Sequence, residues 1–138
     1  MVLDTNIWVS AIILGGLPAR IIKAAEDNRI LIIISEDIIR EINRTLAYPG
    51  LREIYEAANI SREELIEVII RVGQLVKTRT KVNIVNEDPA DNKFLECALD
   101  GDADHVVSGD DHLLRIKHCR RIGILSRISL QFIDSHYL

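Results

Sequence analysis

The sequence predicts an α/β fold: three layers, with helices on both faces of a central, mostly parallel sheet. Three observations point there. Short aliphatic runs alternate with helical segments along all 138 residues. The longest run, Ile30 to Ile34, is apolar without alternation, as in a strand buried on both faces. Alternating strands and helices are joined most simply by right-handed crossovers in one parallel sheet. No repeat, low-complexity stretch or linker divides the chain, so residues 1–138 are read as one domain.

Taken in order, Met1 to Leu3 reads as a buried strand ending at Asp4. The apolar stretch from Thr5 to Leu14 breaks at Gly15-Gly16, and Pro18 opens a helical segment from Ala19 to Asp27. After the Ile30–Ile34 strand, Ser35 is placed as N-cap of a helix to about Leu46, with Glu36 and Asp37 in its first turn. Pro49-Gly50 should close that unit, and Ile54 to Ala58 form a short helix. Ser61 and Glu64 make a capping box for a helix through Leu65, Ile69 and Val72. Val76 to Val85 alternates basic or polar with small or apolar residues, predicting a strand with one wet face. Asp88-Pro89 introduces a helix from about Ala90 to Leu99, stopped by Gly101. His105 to Val107 is a short strand, Asp111 to Ile116 one or two helical turns, Ile122 to Leu125 a last strand, and Ile128 to Leu138 a tail.

Composition narrows the function. The chain is 48% hydrophobic and 28% charged, which excludes a disordered tail and a disulfide mini-protein. Aromatic residues are only 4%, so a platform that stacks bases is not expected. A net charge of −4 argues against a protein that clamps long duplex DNA by charge alone. Cys97 and Cys119 stand far apart and form neither a disulfide framework nor a zinc motif, which suits a reducing compartment. No leader pattern is visible and no apolar run reaches the ~20 residues of a membrane span. The expectation is a cytoplasmic protein with no membrane partner.

Open parallel sheets bind ligands beyond the carboxyl ends of their strands. Asp4 and Asp110 fall at such ends. Two carboxylates brought together repel unless a cation neutralises them, and oxygen clusters favour hard cations such as Mg²⁺ or Mn²⁺. Glu41 lies beside Ile38, on the edge of the apolar stripe of its helix, away from Arg40 and Arg44. Asp91 projects with Phe94, Leu95 and Ala98. Each acid has a plainer reading: turn residues for Asp4 and Asp110, a solvated boundary for Glu41, and the third residue of a helix capped by Asp88 for Asp91.

Together with their neighbours, these acids resemble the motifs of the PIN-domain nucleases. Leu3-Asp4-Thr5-Asn6-Ile7-Trp8-Val9-Ser10-Ala11 resembles the opening of that family. The run from Asp88 to Ala98 resembles its third acidic motif, and Ala103 to Leu114 its fourth. The length is similar to that of a stand-alone VapC-like toxin. The resemblance implies that Asp4, Glu41, Asp91 and Asp110 are the catalytic quartet and hold one or two Mg²⁺ or Mn²⁺ ions. Thr5, Asn6, Ser108 and Asp111 are then supporting residues. Asp88 competes with Asp91 for the third acid, and Asp111 with Asp110 for the fourth. It further implies endoribonuclease activity, a homodimer and a small antitoxin partner. An RNA-processing nuclease without an antitoxin, or a non-catalytic PIN-like module that binds RNA or assembles with a partner, is the alternative.

An acidic chain still needs cations against RNA phosphates. Lys77, Arg79 and Lys81 stand at alternate positions, and Arg115, Lys117, His118, Arg120 and Arg121 follow the fourth motif. Aspartate-based phosphoryl transfer is disfavoured, because Asn6 occupies the place of its second aspartate. His105 and Cys97 read as core or edge residues, Trp8 as packing, and His112 as near the acids but without a spaced partner.

Overall fold

The computed structural model describes residues 1–15, 17–86 and 88–126. Its sheet has six strands: β1 (Val2–Leu3), β2 (Ile33–Ser35), β3 (Gln74–Val76), β4 (His105–Val107), β5 (His118–Cys119) and β6 (Ile122–Leu125). Their order is β3-β2-β1-β4-β6-β5, all parallel except β5, which runs antiparallel to β6. The helices are α1 (Thr5–Val9, continued by a π turn to Leu14), α2 (Leu17–Glu26), α3 (Glu36–Leu46), α4 (Pro49–Ala57), α5 (Arg62–Val72), α6 (Asn92–Asp100) and α7 (Asp111–Leu114). This is the expected three-layer αβα arrangement.

The core is aliphatic, as the composition requires, and Val2, Leu3, Ile32, Ile33, Ile34, Val106 and Val107 are all buried within it. Trp8 and Cys97 are fully buried, which makes both packing residues. Among the described residues no single helix is long and apolar enough to cross a membrane. Ser35 caps α3 by accepting the Ile38 amide at 3.3 Å. The Ser61–Glu64 capping box is complete at the start of α5.

Several local expectations are corrected. The strand expected from Ile30 covers only Ile33–Ser35, because β1 is two residues long and its Val2 pairs first with Ile33. Pro49 opens α4 rather than closing the preceding unit; a proline loses nothing at the first helical position, where its missing N–H has no acceptor. Gly101 does stop α6, as its C-cap, with an ordinary φ of −93°. Its role is close approach: a Cβ there would stand 2.6 Å from Ile33 Cγ2. The helix expected from Ala90 begins at Asn92, after a 3₁₀ turn over Pro89–Asp91. The tail from Ile128 lies outside the described residues.

The largest correction concerns Val76 to Val85. Only Val76 is in a strand, at the end of β3, and residues 77–86 form no regular element. Side chains of α6 take the place of a neighbouring strand. Asp100 accepts the amides of Arg79 (2.6 Å) and Thr80 (2.8 Å), Glu96 that of Val82 (3.0 Å), and Asn92 those of Ile84 (3.1 Å) and Val85 (2.9 Å). Acceptors four residues apart share one helix face, so α6 presents a ladder to the extended chain beside it. The alternation survives without the strand: Lys77, Arg79 and Lys81 are exposed, and Thr78, Thr80 and Val82 are half-buried.

Candidate metal centre

The parallel pairing of β1 with β4 puts Leu3 opposite Val107, so Asp4 and Ser108 leave adjacent strand ends together. The Asp4 amide donates to the Val107 carbonyl at 3.0 Å. Asp4 then caps α1: its Oδ1 accepts the Ile7 amide at 2.9 Å. Its Oδ2 accepts the Ser108 hydroxyl at 2.6 Å and the Gly109 amide at 3.2 Å. The Asp110 amide donates to Ser108 Oγ at 2.9 Å, and Asp110 Oδ1 accepts the His112 amide at 2.7 Å as N-cap of α7. Ser108, fully buried, thereby ties Asp4 to Asp110.

Asp91 enters from the 3₁₀ turn before α6. It is only 9% exposed, and its Oδ2 is buried without a hydrogen-bond partner. Ligand atoms of Asp88, Asp91, Asp110 and His112 all lie within 4.8 Å of one another. Burial raises the Asp91 carboxyl to a pKa of about 7, and the negative charges of Asp88, Asp110, Glu41 and Asp4 push in the same direction. Burial also raises Asp4, against the opposing hydrogen bonds from Ser108, Ile7 and Gly109. A buried carboxyl oxygen with no partner, on a residue grouped with three further donors, fits a divalent cation that would satisfy it and cancel the repulsion.

The grouping differs from the expected quartet. Asp91 and Asp110 belong to the group of four; Asp4 and Glu41 stand beside it. Glu41, half-buried on α3, is ion-paired with Lys93 of α6. Asp88 does not act as the expected side-chain cap, and joins Asp91 in the cluster. Asp110 rather than Asp111 does so too; Asp111 is exposed in the first turn of α7. Thr5 is buried with its Oγ1 unpartnered, and Asn6 is exposed. His112, set aside for want of a spaced partner, is the member that sequence reasoning undervalued. Its place two residues after a capping aspartate was the available signal.

The basic residues singled out from the sequence are all on the surface: Lys77, Arg79, Lys81, Arg115, Lys117, His118, Arg120 and Arg121. His118 sits on β5, and Arg120 and Arg121 form the two-residue turn between β5 and β6.

Fold and clustered donors together describe an α/β chain with a candidate divalent-cation centre at its central strand ends. The model of the PIN-domain family matches residues 1–112, and the chain belongs to that family. PIN domains are generally metal-dependent nucleases. No curated protein matches the chain.

Proposed function

We propose that the protein is a metal-dependent endoribonuclease, using Asp4, Asp91 and Asp110 with Glu41 to hold and orient one or two Mg²⁺ or Mn²⁺ ions. The observation that carries this reading is Asp91, a buried carboxylate with an unpartnered oxygen among three other donors. Such ions activate water for attack at phosphorus and neutralise charge on the phosphate oxygens. The chain's own groups define where that happens. Asp91 and Asp110 supply carboxylate oxygens, and Asp88 adds a third beside them. Asp4, fixed by Ser108 and two amides, offers a carboxylate held in one orientation. Glu41 is held by Lys93, near enough for its charge to act on Asp91, where it can order water. The exposed cations Lys77, Arg79, Lys81, Arg115, Lys117, Arg120 and Arg121 would meet the RNA backbone, contacts that position a strand without reading its sequence.

The proposal extends to the toxin half of a toxin–antitoxin pair, cytoplasmic, homodimeric and held in check by a small protein. Its support is the length of the chain, 138 residues, similar to that of stand-alone VapC-like members of the family. The decisive experiment incubates the purified chain with end-labelled single-stranded RNA and the matching DNA, with Mn²⁺, Mg²⁺ or a chelator. Metal-dependent RNA cleavage that disappears in Asp91→Asn is expected. Cleavage retained in that variant, or no cleavage with either metal, would refute the assignment.

A further inference from the structure

We propose that His112 is itself a ligand of the bound ion, and that it gives the centre a preference for first-row transition dications such as Mn²⁺ and Co²⁺ over Mg²⁺. This rests on the reading of the site as a metal centre. An all-carboxylate site suits Mg²⁺ and Mn²⁺ alike and selects between hard cations only through cavity size, ligand number and flexibility. An imidazole changes that. Nitrogen donors raise affinity along the transition series, whereas Mg²⁺ binds one or two carboxylates and keeps its waters.

The geometry delivers the imidazole to the acids. The Asp110 cap takes the His112 amide at 2.7 Å, which fixes the backbone of His112 against the carboxylate it accompanies. His112 Nδ1 lies 3.4 Å from Asp110 Oδ1. A ligand nitrogen of His112 falls within the same 4.8 Å group as oxygens of Asp88, Asp91 and Asp110. Independently of that grouping, Asp91 is nine-tenths buried and its Oδ2 has no partner, an arrangement that an ion bound here would complete. Leu113, fully buried next in sequence, anchors the short helix α7 to the core. The histidine is therefore carried on a fixed support.

Pulsed electron paramagnetic resonance of the Mn²⁺-loaded full chain tests this directly, because a coordinated imidazole modulates the electron spin echo through its ¹⁴N nucleus. The expected result is ¹⁴N modulation in the wild type and its loss in His112→Gln. In parallel titrations, His112→Gln should weaken Mn²⁺ and Co²⁺ binding by about tenfold or more and Mg²⁺ by no more than about twofold, on the scale of affinity changes around metal sites. The wild-type spectrum needs no variant, so a misfolded mutant would not block the test. Mn²⁺ binding that is lost in Asp91→Asn yet shows no nitrogen modulation would overturn the role of His112 and leave the metal centre standing. Absence of any dication binding by the wild type would overturn both.

Discussion

Ser108 Oγ donates a 2.6 Å hydrogen bond to Asp4 Oδ2 across 104 positions of sequence. The same oxygen accepts the Asp110 amide, so one hydroxyl sets the spacing of two acids from different strands. Ser108→Ala removes both bonds and leaves the Asp4 carboxylate with its backbone donors only. The expected cost is about 1–3 kcal/mol of stability, typical for losing a hydrogen bond to a charged group. Dication affinity should fall by about 10- to 100-fold, as when a group that orients ligands is lost. Thermal unfolding with and without Mn²⁺ measures both; a variant with unchanged metal response would show that Asp4 needs no such anchor.

The raised Asp91 carboxyl fixes the sign of a pH effect. Its pKa is near 3.8 in the unfolded chain and about 7 in the fold, so the folded state holds the proton more tightly. The group therefore favours folding below pH 4, and this contribution is lost as pH rises through 7. For metal-free protein, stability should fall across that window with a slope of at most about 1.4 kcal/mol per pH unit from this residue. Subtracting the Asp91→Asn curve isolates it, and a flat difference between pH 4 and 7 would contradict the assignment. Metal competes with that proton, so dication affinity should climb over the same range.

Asp91→Asn should also separate stability from binding. Removing a buried charge that four acids oppose stabilises the metal-free protein at pH 8, where the wild-type carboxyl is ionised. The same change deletes a proposed ligand. Saturating Mn²⁺, at a hundred times its dissociation constant, should raise wild-type stability by about 2.7 kcal/mol and leave the variant unmoved. A variant that is less stable than wild type at pH 8 would mean that the carboxylate has partners in solution that satisfy its charge.

Much of the site was legible because its acids follow from strand ends and helix caps. Asp4 and Ser35 sit where an apolar run stops and Asp110 just past one, and the pairing of β1 with β4 turns that sequence rule into proximity. Asp88 and His112 were harder to read. Asp88 precedes a 3₁₀ turn and His112 lies in the one-turn helix α7, both places where a polar side chain has a local backbone role available, and only their meeting reveals the other use. The segment after Val76 misled for a different reason. Its alternation is real, but exposure with a period of two reports an extended chain and says nothing of what accepts its amides. Those acceptors are Asn92, Glu96 and Asp100, which a helix-by-helix reading assigns to α6 alone. The β5 strand was missed because its turn, Arg120-Arg121, carries a positive φ of 56° on an arginine, with no glycine or asparagine to announce it.

The ladder on α6 yields its own test. Asn92 is buried, accepts the amides of Ile84 and Val85, and donates to the Pro89 carbonyl at 3.0 Å. It thus ties the extended segment to the turn that carries Asp91. Asn92→Ala strands those groups and should cost about 1–3 kcal/mol. Asn92→Asp keeps the acceptor and should recover most of the loss at the two amides. Hydrogen exchange at Ile84 and Val85 reads the effect locally; protection equal to wild type in the alanine variant would show that the segment is held by other means.

Lys93 and Glu41 join α6 to α3 through side chains 14% and 26% exposed. Glu41 is close enough to the cluster for its charge to raise the Asp91 carboxyl. Lys93→Met leaves Glu41 without its cation, at a cost of about 1–2 kcal/mol, below the 3–5 kcal/mol seen where a broken pair is fully buried. The effect on the ion has the opposite sign. A lysine beside a dication site repels the ion, and an unpaired Glu41 adds attraction, so dication affinity should rise by up to about tenfold, or 1.4 kcal/mol. Glu41→Gln in the Lys93→Met background should restore stability and cancel the gain in affinity. Isothermal titration with Mn²⁺ and thermal unfolding decide between this and a purely structural pair. If stability and affinity fall together in Lys93→Met and both return in the double variant, Glu41 serves packing between α3 and α6 and has no electrostatic claim on the ion.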